Sequence, residues 1–202
     1  MPYTVRNYTK DDLEECTDCY ASGFFEKNSP GDRRFLKECM DALVGISNFM
    51  LVAESEGKIV GLLGAAYKRT FSKELSKSTD DPEKHKDFRA IMIKRLLGLY
   101  RLSKEFKVFF SQVMARPPKV ADDCDCEIIV LCSRKEFRCG VGTALVNGMI
   151  ERCKKNGVSR IRIATDTGFN YRFYEKFGTA VYEKEHAIDG IVGKAFVYEI
   201  SL

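Results

Sequence analysis

Apolar and polar positions recur along this chain with two periods, and the switch between them marks its elements. Tyr3 to Asn7 reads as a strand. Lys10-Asp11-Asp12 opens a helix behind Thr9 as N-cap, and Leu13, Cys16, Tyr20 and Phe24 then recur at helical spacing. Ser29-Pro30-Gly31 breaks that helix, and Arg33 to Leu43 resumes one. Phe24, Phe25 and Phe35 read as core in preference to substrate contacts. Phe49 to Glu54 and Lys58 to Tyr67 are apolar runs joined by Ser55-Glu56-Gly57, a hairpin pattern. Gly61, Gly64, Ala65 and Ala66 in the second run predict close approach by another element.

A long interruption follows, over residues 69–123. Ser76 to Lys86 is polar and charged. Ile91 to Phe110 has helical periodicity, ended by Pro117-Pro118. Two or three helices folded over a sheet fit this stretch. A lid and a homodimer interface are both open for it. Beyond it, Cys126 to Cys132 reads as a strand, Ala144 to Asn156 as an amphipathic helix and Arg160 to Ala164 as a strand. Asn170 to Gly178 forms a short helix. Val181 to His186 and Val192 to Ile200 are the last strands, around an Asp189-Gly190 turn. Strand, helix and strand in that order build a parallel pair with a crossover helix. The whole predicts an α/β fold of α+β type. It has a mixed sheet of about seven strands, flanking helices and a helical insertion between strands three and four. Residues 1–202 form a single domain.

Composition narrows the function classes. The net charge of +4 is spread with both signs mixed, which gives no basis for nucleic-acid binding. No apolar run reaches the length of a membrane span, and Met1-Pro2-Tyr3-Thr4-Val5-Arg6 lacks the apolar stretch of a signal peptide. The expected location is cytoplasmic. Eight cysteines invite a metal or disulfide reading. Cys16-x-x-Cys19 lies in a helical pattern without a second pair, and Cys124-x-Cys126 has no histidine near it. The only histidines, His85 and His186, are far apart. No metal site is expected, and most cysteines read as small apolar fillers.

Chemistry concentrates between the strand ending at Cys132 and the helix starting near Ala144. Gly140-Val141-Gly142 lets the backbone turn tightly at a helix start. First-turn N–H groups there lack partners inside the helix, and the dipole adds partial positive charge, which suits a phosphate or pyrophosphate. Further on stands Thr165-Asp166-Thr167, then Asn170-Tyr171-Arg172-Phe173-Tyr174-Glu175-Lys176-Phe177-Gly178. In this order and spacing, the Gly turn and the Phe-Tyr segment resemble the acetyl-CoA-binding core of the GNAT superfamily of N-acetyltransferases. The resemblance covers about a quarter of the chain. Two positions depart from the family pattern. Phe137 stands where Arg or Gln precedes the Gly turn, with Arg138 beside it, and Thr179 stands where Phe follows Gly178.

That resemblance implies acetyl-CoA as acyl donor and a primary amine of a small molecule, amino acid or peptide as acceptor. It implies that Phe137, Arg138, Cys139, Gly140, Val141, Gly142 and Thr143 form the pyrophosphate turn. The strand backbone near Val130 and Cys132 pairs with the pantetheine arm like an added strand. Phe173 flanks the cofactor, Asn170 starts the short helix or hydrogen-bonds the cofactor, and Arg172 meets its 3′-phosphate or lies in solvent. The attacking amine must be neutral. A lysine-like amine has a pKa of about 10.4, so a base is required. Glu127 is the candidate base, acting through water, with a strand-end carboxylate facing solvent as the alternative. A strand backbone N–H serves the oxyanion. Tyr174, neutral at pH 7, is the candidate proton donor to the departing thiolate. The alternative for Tyr174 is a buried aromatic bonded to a carbonyl.

Two other readings compete. One is a catalytically silent acyl-CoA-binding module whose helical insertion recruits a partner. The other is a nucleotide-binding α/β domain, but the dinucleotide pattern wants a third Gly where Leu145 stands.

Overall fold

The structure, a computed structural model, describes residues 2–24, 33–68, 120, 123–137, 140–188 and 191–202. The predicted helices and charged run of residues 69–119 lie outside the described residues. So do Phe25, Arg138, Cys139 and the Asp189-Gly190 turn.

Seven strands form one mixed sheet. They are β1 (Thr4–Asn7), β2 (Phe49–Ser55), β3 (Lys58–Tyr67), β4 (Cys126–Ser133), β5 (Arg160–Asp166), β6 (Thr179–Ile188) and β7 (Ile191–Ser201). Their order is β1-β2-β3-β4-β5-β7-β6. Every neighbouring pair is antiparallel except β4 and β5, which are parallel. Helices α1 (Leu13–Phe24) and α2 (Arg33–Ile46) pack on one face, and α3 (Val141–Lys155) packs on the other.

Two cores sandwich the sheet. Leu145, Met149 and Cys153 of α3 meet Leu51, Leu63, Ile128 and Ile161. Cys16 and Tyr20 of α1 and Phe35, Cys39 and Met40 of α2 meet Val52, Leu62, Val130 and Cys132. The close approach expected at the β3 glycines is present. A Cβ on Gly61 would stand 2.5 Å from Val141 Cγ1, and one on Gly64 would stand 2.7 Å from Ser47 Oγ. Cys16, Cys19, Cys39, Cys126, Cys132 and Cys153 are buried thiols within these layers, the filler role expected of them.

Among the element boundaries that differ from the sequence pattern, two shape the site. Helix α3 starts at Val141, three residues before its amphipathic stretch, because Gly140 at φ +94° lets the chain turn directly into it. Strand β5 runs on to Asp166, because pairing with β7 continues as far as Ala195.

Candidate active site

The site is built by a fault in β4. Gly64 pairs with Val130 and Ala65 with Ile128, so Ile129 is an extra residue in the β4 side of the ladder. Strict alternation would put Cys126, Ile128, Val130 and Cys132 on one face. With the bulge, Cys126 and Ile128 enter the α3 core, while Val130 and Cys132 enter the α1/α2 core. The sequence pattern gave no sign of this reversal, since all four residues are apolar or Cys.

Strands β4 and β5 then part. They pair only at Cys126 with Ile161 and Glu127 with Arg162. Past those residues β4 has no ladder partner on its β5 side among the described residues. The gap between them is a cleft of about 400 Å³. Residues Ile128–Ser133 form one wall and Ile163–Asp166 the other. Gly140, Gly142 and Thr143 close one end, and Asn170, Phe173, Tyr174 and Lys176 cover it. Tyr20, Gly23 and Phe24 of α1 and Leu43 of α2 line its far side. Phe24 does both: it packs against the α1/α2 core as expected and also lines the cleft. Phe35 is core as expected, with 0% exposure.

Several predicted site residues therefore meet in one place: Val130, Cys132, Gly140, Gly142, Thr143, Asn170, Phe173 and Tyr174. Others stand apart from the lining. Val141 is fully buried in the α3 core. Phe137 ends a short 3-10 turn, Lys135–Phe137, and packs against the same core. Its N–H donates to the Arg134 carbonyl at 3.0 Å. Glu127 precedes the wall by one residue. It is buried and ion-paired with Lys68. Arg172 is outside the cleft, with its Nε donating to the Tyr171 hydroxyl at 3.3 Å.

At the Gly end, α3 presents its first N–H groups. Ala144 is the first residue whose N–H bonds one turn back, to the Gly140 carbonyl at 3.0 Å. Gly142 lies against the Phe173 ring, close enough that an added Cβ would stand 3.1 Å from its Cζ. Asn170 is the N-cap position of the 3-10 helix Tyr171–Lys176, which carries Phe173 and Tyr174 into the cleft. Lys176, on the same helix, was not singled out from sequence. Its ammonium donates to Thr143 Oγ1 at 2.6 Å and lies 4.1 Å from the centre of the Phe173 ring. This places a cation at the helix start, where Phe137 replaces the expected Arg or Gln. The only sequence clue was its place in the Phe-Tyr motif.

Tyr174 is buried between Phe173 and Tyr198. Burial pushes its phenol well above the ordinary tyrosine range, and the neighbouring Cys132 adds to this. The phenol is therefore a neutral O–H at any physiological pH. Burial likewise pushes the Cys132 thiol up, with the Cys19 thiol beside it.

A turn of free N–H groups with a cation at one end, a splayed strand edge along one side and a neutral phenol over the middle match an elongated ligand with a phosphate tail. Among the described residues no cluster of three or more His, Cys, Asp or Glu could hold a metal ion. Among the described residues no helix is long and apolar enough to cross a membrane.

The comparisons agree with this geometry. An N-acetyltransferase from Staphylococcus aureus Mu50 shares the fold with a TM-score of 0.60 at 11% identity, over 100% of this chain and 99% of that one. The ribosomal-protein-S18-alanine N-acetyltransferase from Escherichia coli gives 0.58 at 9% identity, over 99% and 94%. The IAA acetyltransferase from Bacillus cereus ATCC 14579 gives 0.54 at 12%, over 100% of both. No curated protein matches the chain. The sequence profile of the acetyltransferase (GNAT) family matches residues 13–179, which span the first helix, the bulged strand, the Gly turn and the Tyr174 helix. The chain belongs to the acetyltransferase (GNAT) family.

Proposed function

We propose that this protein transfers an acetyl group from acetyl-CoA to a primary amine. The splayed β4–β5 cleft, closed at one end by the Gly140–Thr143 turn, carries the reading. The residues fit the donor. N–H groups of the α3 first turn, with Lys176 beside them, would hold the pyrophosphate. Arg138 and Cys139 belong to the same turn in this reading. The β4 edge at Val130 and Cys132 would hold the arm's amides, with Asn170 and Phe173 covering it. Bound acetyl-CoA supplies the activated thioester.

The chain's own residues then manage protons. The amine must lose one before attack. Glu127 takes that role through water, since it stands one residue before the cleft wall at Ile128. The departing sulfur must gain a proton. Tyr174 lies in the cleft, neutral and facing the β4 wall, and donates it. The walls from α1 and α2 exclude water from the reacting carbonyl and set the acceptor's shape.

The test is a thermal shift with acetyl-CoA. The coenzyme should raise the melting temperature, and Gly142→Glu should abolish the rise by setting a carboxylate against the phosphates. A shift that survives this change sinks the pyrophosphate assignment. Thiol release with a panel of primary amines tests transfer itself.

A further inference from the structure

One wall of the cleft carries a carboxylate, and acetyl transfer as described makes no use of it. Asp166 is the last residue of β5, and it lines the cleft. Ile161 and Ile163 enter the α3 core, so alternation turns Arg162, Ala164 and Asp166 to the α1/α2 side. There Asp166 shares the cleft with Phe24 and Phe169, whose rings meet edge to face with centroids 5.3 Å apart.

This carboxylate is under-used. Among the described residues it accepts one hydrogen bond, from the Gly168 N–H at 2.6 Å. A carboxylate can accept about four. Lys194, whose neighbour Ala195 pairs with Asp166, is engaged elsewhere: it bonds Glu183 at 2.7 Å. Burial pushes the Asp166 carboxyl up, opposed by the Gly168 N–H and by His186.

His186 supplies a second, independent anomaly. It sits on β6 opposite Gly193, with its ring packed over that glycine. Both ring nitrogens are buried, and among the described residues neither has a hydrogen-bond partner. An imidazole always carries at least one N–H, so a donor is left unsatisfied. His186 is near enough to bear on the Asp166 carboxyl, yet among the described residues no hydrogen bond joins them.

A carboxylate with spare lone pairs and aromatic walls suit a cation bearing several N–H groups, and the unspent imidazole N–H is a donor for the carboxylate itself. We propose that Asp166, with His186 behind it, anchors a second cationic group on the acceptor. The acceptor class is then diamines and guanidino amines. This rests on the acetyl-transfer reading and names its acceptor class.

The experiment compares kcat/KM for putrescine and cadaverine with butylamine and pentylamine, in the full chain with acetyl-CoA, by thiol release. The diamines should be favoured by about tenfold or more, the scale of one charge-assisted hydrogen bond. Asp166→Asn should bring the ratio close to one. His186→Leu should lower it, and His186→Gln, which restores a donor, should recover part of it. The acetyl-CoA thermal shift reports that each variant is folded. Equal use of both amine classes, a ratio that survives Asp166→Asn, or no turnover of any diamine overturns the inference. Monoamine turnover together with a coenzyme shift would still uphold acetyl transfer, so the two readings fail separately.

Discussion

The ring of Phe173 lies on Gly142, so that a Cβ at Gly142 would stand 3.1 Å from Cζ and 3.3 Å from Cε2. This contact couples the 3-10 helix to the turn at the start of α3. Gly142→Ala should push the ring off its seat at a cost of about 1–2 kcal/mol by urea denaturation. Phe173→Leu should remove part of that cost in the double mutant. Additive losses would show that the ring and the turn are independent.

Gly178 is crowded by backbone that cannot yield. A Cβ there would stand 1.9 Å from the Glu199 carbonyl oxygen. Gly178→Ala should lose about 3 kcal/mol or more. Gly45 in α2 is the control, since nothing lies within 4 Å of its Cβ position. Gly45→Ala should gain roughly 0.5–1 kcal/mol through helix propensity. Similar effects at both positions would contradict the packing argument.

Tyr174→Phe separates proton donation from packing. Among the described residues the hydroxyl has no bonded partner, so the variant should keep its unfolding midpoint. Turnover should fall by about a hundredfold or more, the usual scale of general acid catalysis. Turnover undiminished by the change removes Tyr174 from the mechanism.

Acid stability should depend on Asp12. The Arg6 guanidinium donates to both of its oxygens at 2.8 Å, and the Thr9 N–H adds a bond at 2.7 Å. Together they hold its carboxyl down at about 2. An unfolded Asp titrates at about 3.9. The folded value is the lower one, so the stabilisation is complete above about pH 4 and is lost as pH falls towards 2. Urea midpoints should drop over that window, and Arg6→Met should flatten the drop. An unchanged slope in the variant would exclude this pair as its source.

Thiol reactivity checks the core. Burial pushes the Cys16, Cys39 and Cys124 thiols up to about 12. At neutral pH they should resist iodoacetamide in the folded protein and label at once in urea. Peptide mass spectrometry reads each site. Labelling of any of the three faster than unfolding would mean that its pocket opens locally.

Much of the fold was legible before the structure. The hairpin at Ser55-Glu56-Gly57 carried its own turn chemistry, and β2 and β3 pair across it. Helices α1 and α2 announced themselves by apolar spacing, and the Gly turn by two glycines before an amphipathic stretch. The cleft side of Phe24 was not legible, because a cleft-lining aromatic and a core aromatic share the same spacing, and its ring partner Phe169 lies far along the chain. Lys176 was passed over because an exposed lysine on a short helix carries no local mark. Its meaning comes from Thr143, which only packing brings to it.

The sequence by itself determined the order of strands and helices, the Gly-led start of α3 and the Phe-Tyr segment, because each is written in residues close together in the chain. Only the tertiary structure decided where β4 breaks its alternation, where it leaves β5 and which charged side chains line the cleft. The bulge at Ile129 depends on register against β3, and the lining depends on the meeting of α1, α3, β4 and β5. Register and long-range approach are properties of the assembled sheet, so no local pattern of residues could carry them.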